Sequence, residues 1–252
     1  VITLVVGVLI GFLLGSAGSG VTASPATTSA APSSATAPPS VTRLATPSPD
    51  AVPSPTPTAA ATQGATDTVA QTRLLLNDIP IVDGRSEARY YRDAFGETWY
   101  DVDGNGCRTR DDILGRDLTN PTFKPGTNEC GVKSGVLTDP YSGVVVDFVS
   151  GWDTSQLVPV DHIVALAWAW RQGADDWTAA QRLKFANDPI NLVATTREMN
   201  DEKLDHGPSQ WLPPLQASRC DYVVRWVTVL GVYELGVNAA DKAAAESVLD
   251  QC

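Results

Sequence analysis

The chain has 252 residues, with 18 Lys and Arg against 29 Asp and Glu and a formal net charge of −11. That balance excludes a protein that holds nucleic acid through a broad basic surface. It leaves open phosphate chemistry at a bound metal ion, because the ion brings its own charge.

Val1 to Leu14 reads VITLVVGVLIGFLL, an uncharged run followed by small residues. No Met precedes it and no basic residue comes before Arg43, as expected if the natural start lies upstream. Fourteen apolar residues are short of the roughly 20 that span a bilayer and suit the core of a signal peptide. Residues 1–22 are therefore expected to be a signal peptide, or a membrane anchor if uncleaved. Residues 23–72 carry nine of the 18 prolines among Ser, Thr and Ala. Such a segment buries too little apolar surface to offset chain entropy, so it reads as a disordered linker or stalk. The folded domain is expected at residues 73–252.

Within that domain, helix is expected at Arg73–Leu76 and Glu87–Phe95, and strand at Ser142–Val149 and Leu157–Val164, Pro159 pushing the latter toward an edge. Helical pieces follow at Ala165–Trp170 and Thr178–Ala186, then a short strand at Leu192–Ala194 and a polar helix at Thr195–Leu204. Asp221–Leu235 and Ala239–Leu249 form a final helical pair, with Asn238 as the N-cap of the second. The fold class is α+β. Cys107, Cys130, Cys220 and Cys252 contain no CxxC pair, which argues against a zinc ribbon. In an exported chain they suggest two disulfides. Cys107–Cys130 with Cys220–Cys252 is the preferred pairing; the sequence does not settle it.

Two histidines narrow the search for a general base. His162 follows Asp161 at the end of an apolar run, VPVDHIVAL. A neutral imidazole can take a proton from water at physiological pH, and a structural Asp–His bond is the plainer reading. Strand alternation sends Asp161 and His162 to opposite faces, so a shared site requires a local twist. Asn191 and Asn200 stand nine apart, and Lys203 lies three beyond Asn200 on the same helical face. His206, in LDHGP, is fifteen from Asn191.

This order resembles the HNH nucleases of the ββα-metal class. The wider chain is similar to exported bacterial HNH-type proteins of the DUF1524 kind through FGETWYDVDGNGCRTRDDIL, DPYSGVVVDF, VDHIVALAWAW, RLKFANDPINL, NDEK and WLPP. The resemblance implies an HNH core within a largely helical, disulfide-stabilised domain that cleaves nucleic acid, DNA above all, leaving a 5′-phosphate; the low basicity of the chain suggests little sequence specificity. It implies His162 as general base, Asn191 as a brace for the site, and Asp161 with Asn200 as ligands of Mg²⁺, or Mn²⁺ in its place. Lys203, Arg108 and Arg110 are candidates for substrate phosphates, Lys203 having a plainer reading as a solvated surface residue. Where related sequences place Gly after the Lys, this chain has Leu204.

Asp101, Asp103, Asn105, Gly106 and Asp112 fall on calcium-loop positions, with Asp where a bidentate Glu belongs. An Asx-rich turn is the alternative. Competing functions are a catalytically silent cell-surface binding module and a zinc peptide hydrolase, the latter disfavoured by the absence of HExxH.

Overall fold

A computed structural model describes residues 59–82 and 88–252. The apolar start and most of the expected linker lie outside the described residues. Among the described residues no helix is long and apolar enough to cross a membrane.

The elements run in the order α1 (Ala59–Asp78), α2 (Thr109–Asp117), β1 (Thr119–Phe123), β2 (Val132–Thr138), β3 (Val145–Val149), β4 (Val160–His162), α3 (Leu166–Arg171), α4 (Ala179–Asn187), β5 (Leu192–Ala194), α5 (Arg197–Lys203), α6 (Arg219–Val232) and α7 (Ala239–Leu249). The mixture of helix and strand agrees with the expected α+β class.

The large core is helical. In α6, Tyr222, Val223, Trp226, Val227, Val229 and Leu230 make one buried stripe, the spacing of a helix with a single apolar face. Trp226 meets Trp168 of α3 edge-on at 5.0 Å. Helix α1 packs on α6 and α7, burying Thr72, Leu76 and, just past its end, Ile79. The domain boundary expected at residue 73 therefore falls inside a helix. Arg73 Nη1 pairs with Asp250 at 2.5 Å and fastens α1 to the chain end. The N-cap expected of Asn238 is present, its Oδ1 accepting from Asp241 N at 2.8 Å.

Asp241 is itself buried and accepts from Trp168 Nε1 (2.8 Å), Ser209 N (2.9 Å), Ser209 Oγ (2.5 Å) and Asn238 Nδ2 (2.5 Å). Four donors satisfy a carboxylate that would otherwise be costly to enclose. Both disulfides form as preferred, Cys107–Cys130 and Cys220–Cys252.

A second, smaller core lies between α2 and the antiparallel sheet β1-β2-β3, and holds Ile113, Leu114, Val132, Leu137 and Phe148. The strand expected from Ser142 begins three residues later, at Val145. Gly143 closes a turn before it, donating to Asp139 O at 2.8 Å with φ +77. The helix expected at Glu87–Phe95 shrinks to a 3₁₀ turn, Arg92–Phe95, because Tyr91 is extended. Tyr90, Tyr91 and Phe95 then all reach the ring of Trp170, at 6.1, 5.6 and 6.1 Å.

The two-stranded ribbon β4–β5 separates the cores. Its register pairs Val160 with Ala194, Asp161 with Val193 and His162 with Leu192. Val193 belongs to the large core, whereas Val160, Leu192 and Ala194 belong to the small one. Helix α5 follows β5 directly, with Thr196 accepting from Met199 N as N-cap.

At the end of α5, Leu204 has φ +50 and ψ −128 and is 60% exposed. Glycine tolerates that region and side chains resist it. Leu204→Gly is expected to raise stability by about 1 kcal/mol in urea unfolding; unchanged or lower stability would contradict the strain.

Candidate functional site

His162 ends β4 on the small-core side of the ribbon, half-buried. Its Nε2 lies 2.8 Å from Ala186 O, near the end of α4. A carbonyl only accepts, so Nε2 carries the hydrogen and donates, and Nδ1 keeps its lone pair. Among the described residues Nδ1 has no hydrogen-bond partner. Trp99 stacks alongside the imidazole, 6.5 Å between centroids and 12° between planes, and is itself held at φ +63. Burial pushes the His162 pKa down to about 4, aided by the positive charges of Arg92 and Lys203 and opposed by the Ala186 carbonyl. The ring is neutral at physiological pH.

Asp161, on the other face, is 6% exposed and meets Lys203, which is fully buried at 0%. Lys203 Nζ lies 3.2 Å from Oδ1 and 3.1 Å from Oδ2, and also donates to His162 O at 2.8 Å. Tyr141 Oη donates to Asp161 Oδ2 at 2.9 Å. Burial raises the Asp161 pKa, while Lys203 and Tyr141 pull it down. Asp139, buried at the turn after β2, accepts from Thr195 Oγ1 (2.5 Å) and Thr196 N (3.2 Å) and so anchors the start of α5.

Several expectations change here. The local twist needed to bring Asp161 and His162 together is not seen: their side chains follow ordinary strand alternation into different surroundings. Lys203 is neither solvated nor free for a phosphate, since both of its contacts are inside the protein. Arg110 is not free either; it donates to Ser155 O (3.1 Å) and Val158 O (2.9 Å) and lies 6.0 Å over Trp99. Arg108 pairs with Asp111 at 2.9 Å. Asn191 is fully buried and spans the backbone of Val164, accepting from its N (2.8 Å) and donating to its O (3.2 Å). It braces the strand that carries His162 without touching the imidazole. Asn200 is partly exposed on α5, and its side chain has no hydrogen bond among the described residues.

Asp161 and Asn200 offer oxygen donors suited to Mg²⁺. As arranged, however, they do not fit such an ion: the ammonium of Lys203 already occupies both carboxylate oxygens. No group of three His, Cys, Asp or Glu converges as a metal site among the described residues. The residues at the calcium-loop positions hydrogen-bond among themselves. Both oxygens of Asp101 accept backbone amides, from Gly104 (2.8 Å) and Gly106 (2.8 Å), which holds its pKa below the usual range. Asn105 turns its NH₂ toward Asp103 (3.2 Å) and Asp112 (3.1 Å), where a ligand would present oxygen. These bonds are those expected of the alternative reading, an Asx-rich turn. His206 lies elsewhere, lining a cavity of about 750 Å³ with Trp168, Arg171 and Gln172.

Sequence reasoning did not name Tyr141, Trp99, Arg92 or the Ala186 carbonyl. Tyr141 and Trp99 sit in segments that carried the resemblance; a backbone carbonyl leaves no sequence signal.

Residues 108–243 match the C-terminal domain of the GmrSD restriction endonucleases, and the chain belongs to that family. A secreted protein of the fungus Arthroderma benhamiae is 38% identical over 180 residues, covering 71% of this chain and 83% of the relative. The restriction to bacteria implied by the resemblance does not hold, since that relative is fungal. Its secretion agrees with the location expected here, secreted or anchored at the outer cell surface. No solved structure matches the chain.

Removing one member of a buried ion pair leaves the other charge uncompensated and costs about 3–5 kcal/mol. Asp161→Asn and Lys203→Met are each expected to lose that much in urea unfolding, and the double variant to lose far less than their sum. Additive losses would mean that the pair is not coupled.

Proposed function

We propose that the protein is an HNH-type endonuclease that hydrolyses phosphodiester bonds with His162 as general base. The observation that carries this reading is the imidazole: neutral, fixed through Nε2–H to Ala186 O, and open at Nδ1. The family is one of restriction endonucleases. Strands β4 and β5, paired antiparallel but separated in the chain by α3 and α4, are followed by α5 and so give the strand–strand–helix order of a ββα unit, with Asp161-His162 on the first strand and Asn200 on the helix.

The chemistry is direct. Water attacks phosphorus, its proton passes to His162 Nδ1, the P–O bond to the leaving group breaks, and that oxygen takes a proton from solvent. The products are a 5′-phosphate and a 3′-hydroxyl. DNA is the proposed substrate. The net charge of −11 suits a loose grip with little sequence specificity rather than tight binding through the backbone.

The Mg²⁺ implied by the resemblance has no ready place beside Asp161 while Lys203 holds the carboxylate. Cleavage that stops in EDTA and returns with Mg²⁺ or Mn²⁺ means that substrate and ion open the pair. Cleavage that persists in EDTA means that the pair stays closed.

Plasmid DNA and RNA incubated with the wild-type chain and with His162→Ala provide the test. The wild type is expected to cleave and the variant to lose about 10²–10⁴-fold in rate. Equal cleavage by a folded His162→Ala would remove His162 from the mechanism. A folded, disulfide-bonded wild type that cleaves neither nucleic acid would favour a binding module.

A further inference from the structure

The cations nominated from sequence for substrate contact are all engaged: Lys203 by Asp161, Arg108 by Asp111, and Arg110 by two carbonyls. Most other arginines are equally committed. Arg116 pairs with Asp117 and Arg171 with Asp205, and Arg182 donates to the carbonyl of Ala94. Arg92 differs. Its Nη1 is enclosed by protein and has no hydrogen-bond partner. No carboxylate lies within ion-pair distance of it among the described residues, and none of its other nitrogens has a protein partner. The residue as a whole is only partly buried.

The fold brings this guanidinium to the same part of the molecule as His162. Arg92 opens the 3₁₀ turn that packs against α4, with Phe95 6.2 Å from Phe185. Downstream, Asn187 at the end of α4 donates to Glu97 O (3.1 Å) and accepts from Tyr100 N (3.0 Å). The segment is thereby laced along α4 toward Ala186, whose carbonyl holds the imidazole. The charge of Arg92 is felt at the ring, where it helps to lower the pKa.

Native proteins rarely leave a buried charged donor unpaired, and such an atom calls for an explanation. The Nε and Nη2 edge of the guanidinium remains for a phosphate, which such an edge can engage with two parallel N–H···O bonds. We propose that Arg92 is a substrate-binding residue that grips a non-bridging oxygen of the phosphodiester attacked at His162. It meets the negative charge that grows on the phosphoryl oxygens as water adds to phosphorus. The proposal rests on the nuclease reading for its substrate but not for the anion site itself.

Two readouts on the full chain keep those parts separate: calorimetric binding of inorganic phosphate, and plasmid cleavage. Arg92→Ala is expected to weaken phosphate binding at least about ten-fold and to lower kcat/KM about 10²-fold. Arg92→Lys should restore part of both, and the melting temperature of Arg92→Ala should stay level or rise. Phosphate bound equally well by Arg92→Ala would overturn the proposal, as would wild-type cleavage by that variant. So would a fall in melting temperature with no rescue of phosphate binding by Arg92→Lys. If the wild type binds phosphate through Arg92 and cleaves nothing, the anion site stands and the nuclease reading falls.

Discussion

A lysine that is fully buried against a nearly buried aspartate organises this site. Enclosing two charges is tolerable only when each is paired and the remaining polar atoms find partners. Here Lys203 spans Asp161 and the carbonyl of His162, and Tyr141 supplies a further donor. Helix α5 is thereby bonded to β4 at the residues that matter, and the turn between β2 and β3 is drawn to the same carboxylate. The strand end that carries His162 has little freedom left. Asn191 adds to this by closing on Val164 from β5's side.

The electrostatic plan follows from that constraint. Burial above all, with the charges of Arg92 and Lys203 and against the Ala186 carbonyl, favours the neutral form of His162, so the imidazole is uncharged over the whole physiological range. The two positive charges felt at the ring, Arg92 and Lys203, differ in availability: one has a nitrogen without an acceptor and the other is locked. An acidic chain can therefore keep a locally positive site without a basic surface. Trp99 stacks on the imidazole and carries Arg110 over its own ring, and its positive φ marks a backbone held in place by its surroundings.

Much of the scaffold was legible in the sequence. The periodicity of α6 and α7, the cap at Asn238, the short strand Leu192–Ala194 and both disulfides are local signals, and each appears where those signals put it. Other features were hidden for physical reasons. Helix α1 extends back into a Ser, Thr and Ala stretch because a few buried positions suffice once α6 covers them. β1 contains Pro121 and pairs with a shifted register, so it lacks the alternation of a regular strand. The spacing of Asn200 and Lys203 gave the helical face but not the depth, and depth decides whether a lysine meets solvent or a buried carboxylate. Arg92 carries no motif at all; its interest lies in what it does not contact.

The central claim concerns one ring, and the ¹⁵N resonances of the His162 imidazole, titrated from about pH 3 to about pH 8, test it most directly. The Nε2–H tautomer and a single transition near pH 4 are expected. Unfolding stability should fall as pH drops from 6.5 through 4, because the unfolded chain takes up the proton first. An Nδ1–H tautomer, or a transition near 6.5, would contradict it: the ring would then be neither fixed by Ala186 nor open at the nitrogen that must accept the proton.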